Sequence, residues 1–347
     1  LLTKQDLLNS EISLCFDDIL LVPHYSDLES RTEPDVSTKL GHLTLSLPIV
    51  SAPMDTITRS QMLIAMSSNG GLGILTRFIK LPDLLPEGVI DEESLQIWEI
   101  KTAKSLSSKR IGCAIGIRNN PQEHAKKLLE YGCDVICIDV AHGDHKKVYE
   151  SIEQVSKLKN NFTFSLMAGN ICTREATRRY INAGVDITRT GIGPGACCTT
   201  RRVTGFGIPQ LTAILQCADE AKGRTAILAD GGIRETGDII KSLWAGADAC
   251  MTGYMLAGTS STPDIGSEKM YRGMSSRTVH QRKDVAAEGI DIRFYYNGDT
   301  GMKLKEYKQG IQSGLAMAGA SNIEELRKSE FTRVSVFTMK ESNPVTF

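Results

Sequence analysis

The chain has 347 residues, with 40 Lys or Arg against 41 Asp or Glu, for a net charge of −1. That balance offers no electrostatic footprint for nucleic acid or for an anionic membrane. No apolar run approaches the roughly 18 to 20 residues of a spanning helix, and the nine cysteines are scattered without zinc-like CxxC pairs, so the reading is a soluble cytoplasmic protein with reduced thiols.

The opening LLTKQDLLNSEIS has no basic region followed by an apolar one, so it does not read as a signal peptide. Residues 1–46 read as an arm that includes FDDILLVP. Eight short apolar runs follow: LPIVSAPM (47–54), GLGILTR (71–77), IGCAIGI (111–117), DVICIDV (134–140), TFSLMAG (163–169), DITRTGIG (186–193), TAILADGG (225–232) and DACMTGY (248–254). Continuous apolar runs of this length predict strands buried on both faces, hence a parallel sheet. PQEHAKKLLEYG, TREATRRYINAG and TGDIIKSLWAGA lie between them with helical spacing and a Gly at or near the end. Eight strand–loop–helix units have the size of a (β/α)8 TIM barrel; a doubly wound sheet is the alternative, although it seldom needs eight such units. Two stretches break the rhythm. Residues 78–105 interrupt it after strand two, and 259–303 form a long flap-like excursion after strand eight, before a helical stretch around 304–328. The whole chain, 1–347, reads as one catalytic domain.

In such a barrel the active site lies at the C-terminal strand ends. There the sequence carries SAPMDT, DVAHGD, AGN, GIGPGACCTTR, DGGIR and TGYMLAG. Gly231-Gly232 and Gly253 follow strands seven and eight, the usual place of a phosphate site in this architecture. Backbone amides there can bind an anion without net positive charge, or the glycines only make tight turns. Asp230 is placed to accept from a ribose diol or to cap the next helix. Cys198 is the candidate nucleophile, because a thiolate near helix N-termini and backbone donors is activated for attack on carbon. Cys197 has the same composition claim, and most cysteines are inert and buried. Thr200 is spaced to share the face of Cys198 and to assist proton transfer.

Taken together, FDDILLVP, SAPMDT, GGLGIL, GIGPGACCTTR, GIPQL, ADGGIR, GDIIKSLWAGAD, YRGMSS, AAEG and GASNIEEL resemble, in order, the IMP dehydrogenase / GMP reductase family of purine nucleotide oxidoreductases. The resemblance runs from about residue 14 to 344 and implies a TIM barrel assembled as a homotetramer. It implies that Cys198 bonds covalently to purine C2, with Thr200 as its proton-handling partner and Glu288 on the base edge. It places Asp230 on the ribose, Gly232, Gly253 and Tyr271 around the phosphate, and Met274 and Ser275 in the purine pocket. It puts Asp139 and Asn170 on the nicotinamide side, and the carbonyls of Gly191, Gly193 and Cys198 around a monovalent cation such as K+. Three departures stand out, the first being Cys197 in place of the usual aliphatic residue. Ala196 lacks a hydroxyl that the family brings to the phosphate, and Tyr254 stands where a small residue is usual.

Both family activities pass a hydride between C2 and a nicotinamide. A dehydrogenase must also activate water, which resembling enzymes do with an Arg-Tyr pair on a mobile flap. SSRTVHQRKDVAAEG is short and has no Arg-Tyr dipeptide, although Arg277, His280 and Arg282 are available as a base. The chain also lacks the paired (CBS) regulatory module of about 120 residues that most dehydrogenases insert after strand two, and DVA at 139–141 is closer to the reductases. The reading is therefore a GMP reductase using NADPH. KESNP (340–344) and EGIDIRFYYNG resemble the dehydrogenase pattern and keep IMP dehydrogenase, with NAD, as the alternative. A non-catalytic nucleotide-binding paralogue is a third reading, motivated by Ala196 and Tyr254 and opposed by Cys198, Thr200 and Glu288 together.

Overall fold

The computed structural model describes every residue except 1–3, 10–11, 83, 107–109, 266–267, 281–285, 336–337 and 339–347. All eight apolar runs are strands: β1 (Ile49–Ser51), β2 (Leu72–Leu75), β3 (Ile111–Ile115), β4 (Val135–Asp139), β5 (Ser165–Ile171), β6 (Ile187–Thr190), β7 (Ala226–Asp230) and β8 (Ala249–Thr252). Each pairs in parallel with its sequence neighbours, and β8 pairs with β1, so the sheet closes as the predicted TIM barrel. Val50, Leu72, Ile74, Ala114, Val135, Met167, Leu228 and Met251 fill the barrel interior. Outside it run α1 (Ser60–Ser68), α2 (Glu92–Ser105), α3 (Pro121–Glu130), α4 (Lys146–Ser156), α5 (Arg174–Asn182), α6 (Gln210–Ala221), α7 (Thr236–Ala245) and α8 (Thr300–Met317). The glycines closing α3, α5 and α7 have φ of +86°, +79° and +113°, the left-handed conformation that ends a helix.

One expectation is corrected. The second half of residues 78–105 is not an interruption, because α2 occupies 92–105 and is the barrel helix between β2 and β3. Asp91 caps it by accepting from Ser94 N at 2.8 Å. Its buried face hid the pattern because that face includes polar residues. Gln96 Nε2 donates to the carbonyls of Thr76 and Ala114 at 2.8 and 3.1 Å, and Glu99 accepts from Arg59 Nε at 2.7 Å. The final helix also starts earlier and ends sooner than expected, at Thr300–Met317, with Gly319 at φ +63° just beyond it.

The arm does two jobs. Ile19–Leu21 pairs antiparallel with Phe331–Arg333, tying the two ends of the chain together. The hairpin Thr38–Leu40/Leu43–Leu45 inserts Leu40 and Leu45 into the cluster that fills the barrel. The excursion after β8 is an antiparallel sheet whose main strands are β9 (Glu268–Arg272) and β10 (Asp291–Phe294). It is pinned to the C-terminal end of β1 by the buried pair Arg272–Asp55, with Nε 3.0 Å from both carboxylate oxygens. No helix among the described residues is long and apolar enough to cross a membrane.

Candidate active site

The loop after β6 carries Cys198, and the hairpin after β8 clasps it. Ile290 N donates to Cys197 O at 3.0 Å and Thr199 N donates to Glu288 O at 2.9 Å, so Cys198 lies antiparallel to Gly289. This approach is close enough that a side chain at either glycine would crowd it. A Cβ on Gly289 would lie 3.1 Å from Gly273 Cα, and one on Gly273 would lie 3.0 Å from Cys197 O. The hairpin continues through Glu288 N to Ser275 O at 3.1 Å, so the segment beyond it spans only 276–287.

This clasp sets up a chain of three side chains. The Cys198 thiol donates to Thr200 Oγ1 at 3.2 Å, and the Thr200 hydroxyl donates to Glu288 Oε2 at 2.7 Å. The partners are 88 positions apart in sequence and meet only through the fold. Geometry also separates the two cysteines. Cys197 is 3% exposed and its thiol points to Tyr271 O at 3.6 Å. Burial pushes its pKa up to about 12, so it stays an unreactive thiol at neutral pH. Cys198 is half-buried and lines the cleft.

The cleft has two lobes that meet at Cys198. The first is walled by Asp230, Gly232, Gly253, Tyr271, Met274, Ser275 and Glu288, all of them expected there. Gly231 and Gly232 have φ of +90° and +80°, which turns the chain sharply after β7. Ala196 and Tyr254 line this same lobe. Tyr254 stacks edge-on against Tyr271 and Phe294, with ring centroids 6.1 and 5.6 Å apart. The second lobe is walled by Arg77, Phe78, Asp139, Asn170, Gly191, Gly193 and Thr200.

The sequence reading missed two cations in the second lobe, Arg77 and Arg189. Arg189, 5% exposed on β6, donates to Asp139 Oδ1 at 2.6 Å and to Asp230 Oδ2 at 2.8 Å. Arg77 Nε donates to Asp139 Oδ2 at 3.3 Å. Burial opposes ionisation of Asp139, but Arg189 and then Arg77 outweigh it and hold its pKa below the ordinary carboxylate value. A lone Arg inside the apolar run DITRTGIG is the signal that was available, since a buried charge requires partners. Asn170 acts as a strut as well as a wall, its Nδ2 donating to Gly191 O and Asp230 Oδ2, both at 2.8 Å.

The expected cation site consists of backbone carbonyls only, a neutral oxygen set that suits a hard ion. Gly191 O already accepts from Asn170 and keeps a second lone pair. Among the described residues no cluster of His, Cys, Asp or Glu could hold a metal. Arg277 opens the short helix Arg277–His280 beyond the hairpin, whereas Arg282 and the tail 340–344 lie outside the described residues.

Comparison with known proteins agrees with this architecture. The family model described as "IMP dehydrogenase / GMP reductase domain" matches residues 13–345. The inosine-5'-monophosphate dehydrogenase of Cryptosporidium parvum is 34% identical over 382 aligned positions, covering 95% of this chain and 94% of the relative. That of Staphylococcus saprophyticus is 32% identical over 469 positions, covering 96% and 95%. That of Aquifex aeolicus is 32% identical, covering 95% and 94%. With the model spanning nearly the whole chain and relatives above 30% identity along its length, the protein belongs to the IMP dehydrogenase / GMP reductase family of purine nucleotide oxidoreductases.

Proposed function

We propose that the protein is a GMP reductase, converting GMP to IMP and ammonia through a covalent bond between Cys198 and purine C2. The observation that supports the covalent step is the hydrogen-bonded chain Cys198–Thr200–Glu288. In the first half-reaction the thiol adds at C2 and the 2-amino group leaves as ammonia. The thiol proton must therefore travel to the departing nitrogen. Thr200 is placed to pass it, and Glu288 to hold it on the base edge until the C–N bond breaks. The resulting thioimidate has C2 bonded to sulfur. A reduced nicotinamide bound beside Asp139 and Asn170, NADPH in this reading, would supply a hydride to C2. The C–S bond then breaks, IMP forms and the thiolate is released, to be reprotonated through the same chain.

The nucleotide would occupy the first lobe, its phosphate on the amides around Gly232 and Gly253 beside Tyr271 and its purine between Met274 and Ser275. Both side-chain bonds to the Asp230 carboxylate land on Oδ2, which leaves Oδ1 for the ribose diol. The nicotinamide would lie in the second lobe beside Asp139 and Asn170. Carbonyls of Gly191, Gly193 and Cys198 would hold a monovalent cation such as K+, stiffening the loop that carries the nucleophile. Most of the rate would come from holding C2 between sulfur and nicotinamide. The short segment between Ser275 and Glu288 also supports a reductase, because ammonia release needs no water-activating flap.

IMP dehydrogenase with NAD is the second reading, favoured by the names of the three relatives above. In it Cys198 would add at C2 of IMP, the C2 hydrogen would leave as hydride to bound NAD to give the same thioimidate, and water would then displace the sulfur to give XMP. Two parallel absorbance assays at 340 nm separate the readings. NADPH oxidation with GMP, matched by ammonia release, is the expected result. NAD reduction with IMP and K+, with XMP formed, would replace it by the dehydrogenase.

A further inference from the structure

Asp139 stands at the end of β4 in the second lobe and Asp230 at the end of β7, walling both. One side chain joins them. Arg189 reaches Asp139 with Nη1 and Asp230 with Nη2, at 2.6 and 2.8 Å, on the two arms of one planar group. The outer ends are tied too, Asp139 to Arg77 on one side and Asp230 to Asn170 on the other. The assembly lies in the barrel mouth with the Arg189 side chain 6% exposed, and its Nε is buried without an acceptor. The guanidinium is thus held by these two carboxylates, with Nη1 also 3.4 Å from Cys137 Sγ, and not by full satisfaction of its own donors.

We propose that Arg189 is a positioning residue that couples the two lobes, fixing Asp139 and Asp230 on one fork so that the state of either carboxylate sets the other. The proposal rests on the reading of the lobes as nucleotide and dinucleotide sites, and not on the direction of the reaction. Its physical basis is a competition for Asp230. With Asp139 in place, Arg189 spends one arm on each carboxylate, and Oδ1 of Asp230 faces the ligand. Without Asp139, both arms turn to Asp230 in the bidentate geometry that arginine and carboxylate favour. Oδ1 is then taken from the ribose. A lysine at 189 keeps the charge but has no fork, so it cannot make this switch.

The test is calorimetric titration of the full chain with GMP, and separately with IMP, without dinucleotide. D139A is expected to weaken both nucleotides about tenfold, although Asp139 walls only the other lobe, and D139N, which keeps an acceptor for Nη1, to stay within about threefold of wild type. In an R189K background, D139A is expected to add less than about twofold. Equal affinities for D139A and wild type would overturn the coupling, as would an unchanged D139A effect in R189K. Should R189K fail to fold, the contrast between D139A and D139N decides alone: equal losses in the two would count against Arg189. Failure of the reductase reading would appear as missing turnover with GMP and leave these affinity ratios untouched.

Discussion

Two neighbouring cysteines in one loop have different surroundings. Cys198 opens onto the cleft with a hydroxyl in reach, whereas the thiol of Cys197 is closed in against the carbonyl of Tyr271. Cys198→Ala is expected to abolish turnover while nucleotide binding stays within a few-fold, read by steady-state kinetics and titration. Cys197→Ala is expected to keep turnover within about threefold and to cost about 1 kcal/mol of stability, as loss of a small buried group. Thr200→Ala is expected to lower turnover about 100-fold, the usual contribution of a positioned proton carrier, with a smaller change in KM. Cys198 and Thr200 were legible because they stand two apart in one loop. Glu288 entered only through the family resemblance, since nothing local in AAEG says that its carboxylate meets a hydroxyl 88 positions away. Arg189 left one trace, a lone cation in an apolar run, but its partners were illegible because they come from strands far apart in sequence.

At the scale of elements, the hairpin of β9 and β10 gives the cleft one wall. Besides its clasp on the loop after β6, it is held to the barrel by the buried pair Asp55–Arg272, with side chains 8% and 7% exposed. Removing one partner of a buried pair strands the other, at a cost of about 3–5 kcal/mol. Asp55→Ala is therefore expected to lower stability by that order in denaturant titration and to release the hairpin. Gly289→Ala acts more locally: its methyl would crowd Gly273 Cα and Ser276 N, both at 3.1 Å. It is expected to cut turnover at least tenfold while the melting temperature moves by only a few degrees. The strands were readable because a parallel barrel buries both faces of each one and so demands unbroken apolar runs. Helix α2 was not, because Gln96 and Glu99 are buried on its inner face with hydrogen-bond partners from other elements.

For the whole molecule, closure matters twice: strand to strand around the barrel, and chain end to chain end through Ile19–Leu21 and Phe331–Arg333. Phe331 is fully buried against Trp244, with ring centroids 5.4 Å apart. Phe331→Ala is expected to cost about 3–5 kcal/mol. Acid should weaken the molecule at the barrel mouth. The folded pKa of Asp139 lies below its unfolded value, so its contribution is fully present above about pH 4 and is lost as pH falls through the folded value. Asp139→Asn is expected to flatten part of the stability loss below about pH 4, measured by urea titration across pH. The order of elements and the C-terminal location of the site followed from periodicity and from glycine-rich strand ends. The clasp between the nucleophile loop and the hairpin did not, because it is made by backbone atoms of segments that no local pattern connects.

The most direct test of the reductase account is intact-mass analysis of the protein mixed with GMP and oxidised dinucleotide, which fills the second lobe but has no hydride to give. The account predicts an adduct of GMP less ammonia on Cys198, about one ammonia released per active site, and neither in Cys198→Ala. Binding of GMP without adduct or ammonia, together with an adduct formed from IMP and NAD, would contradict it.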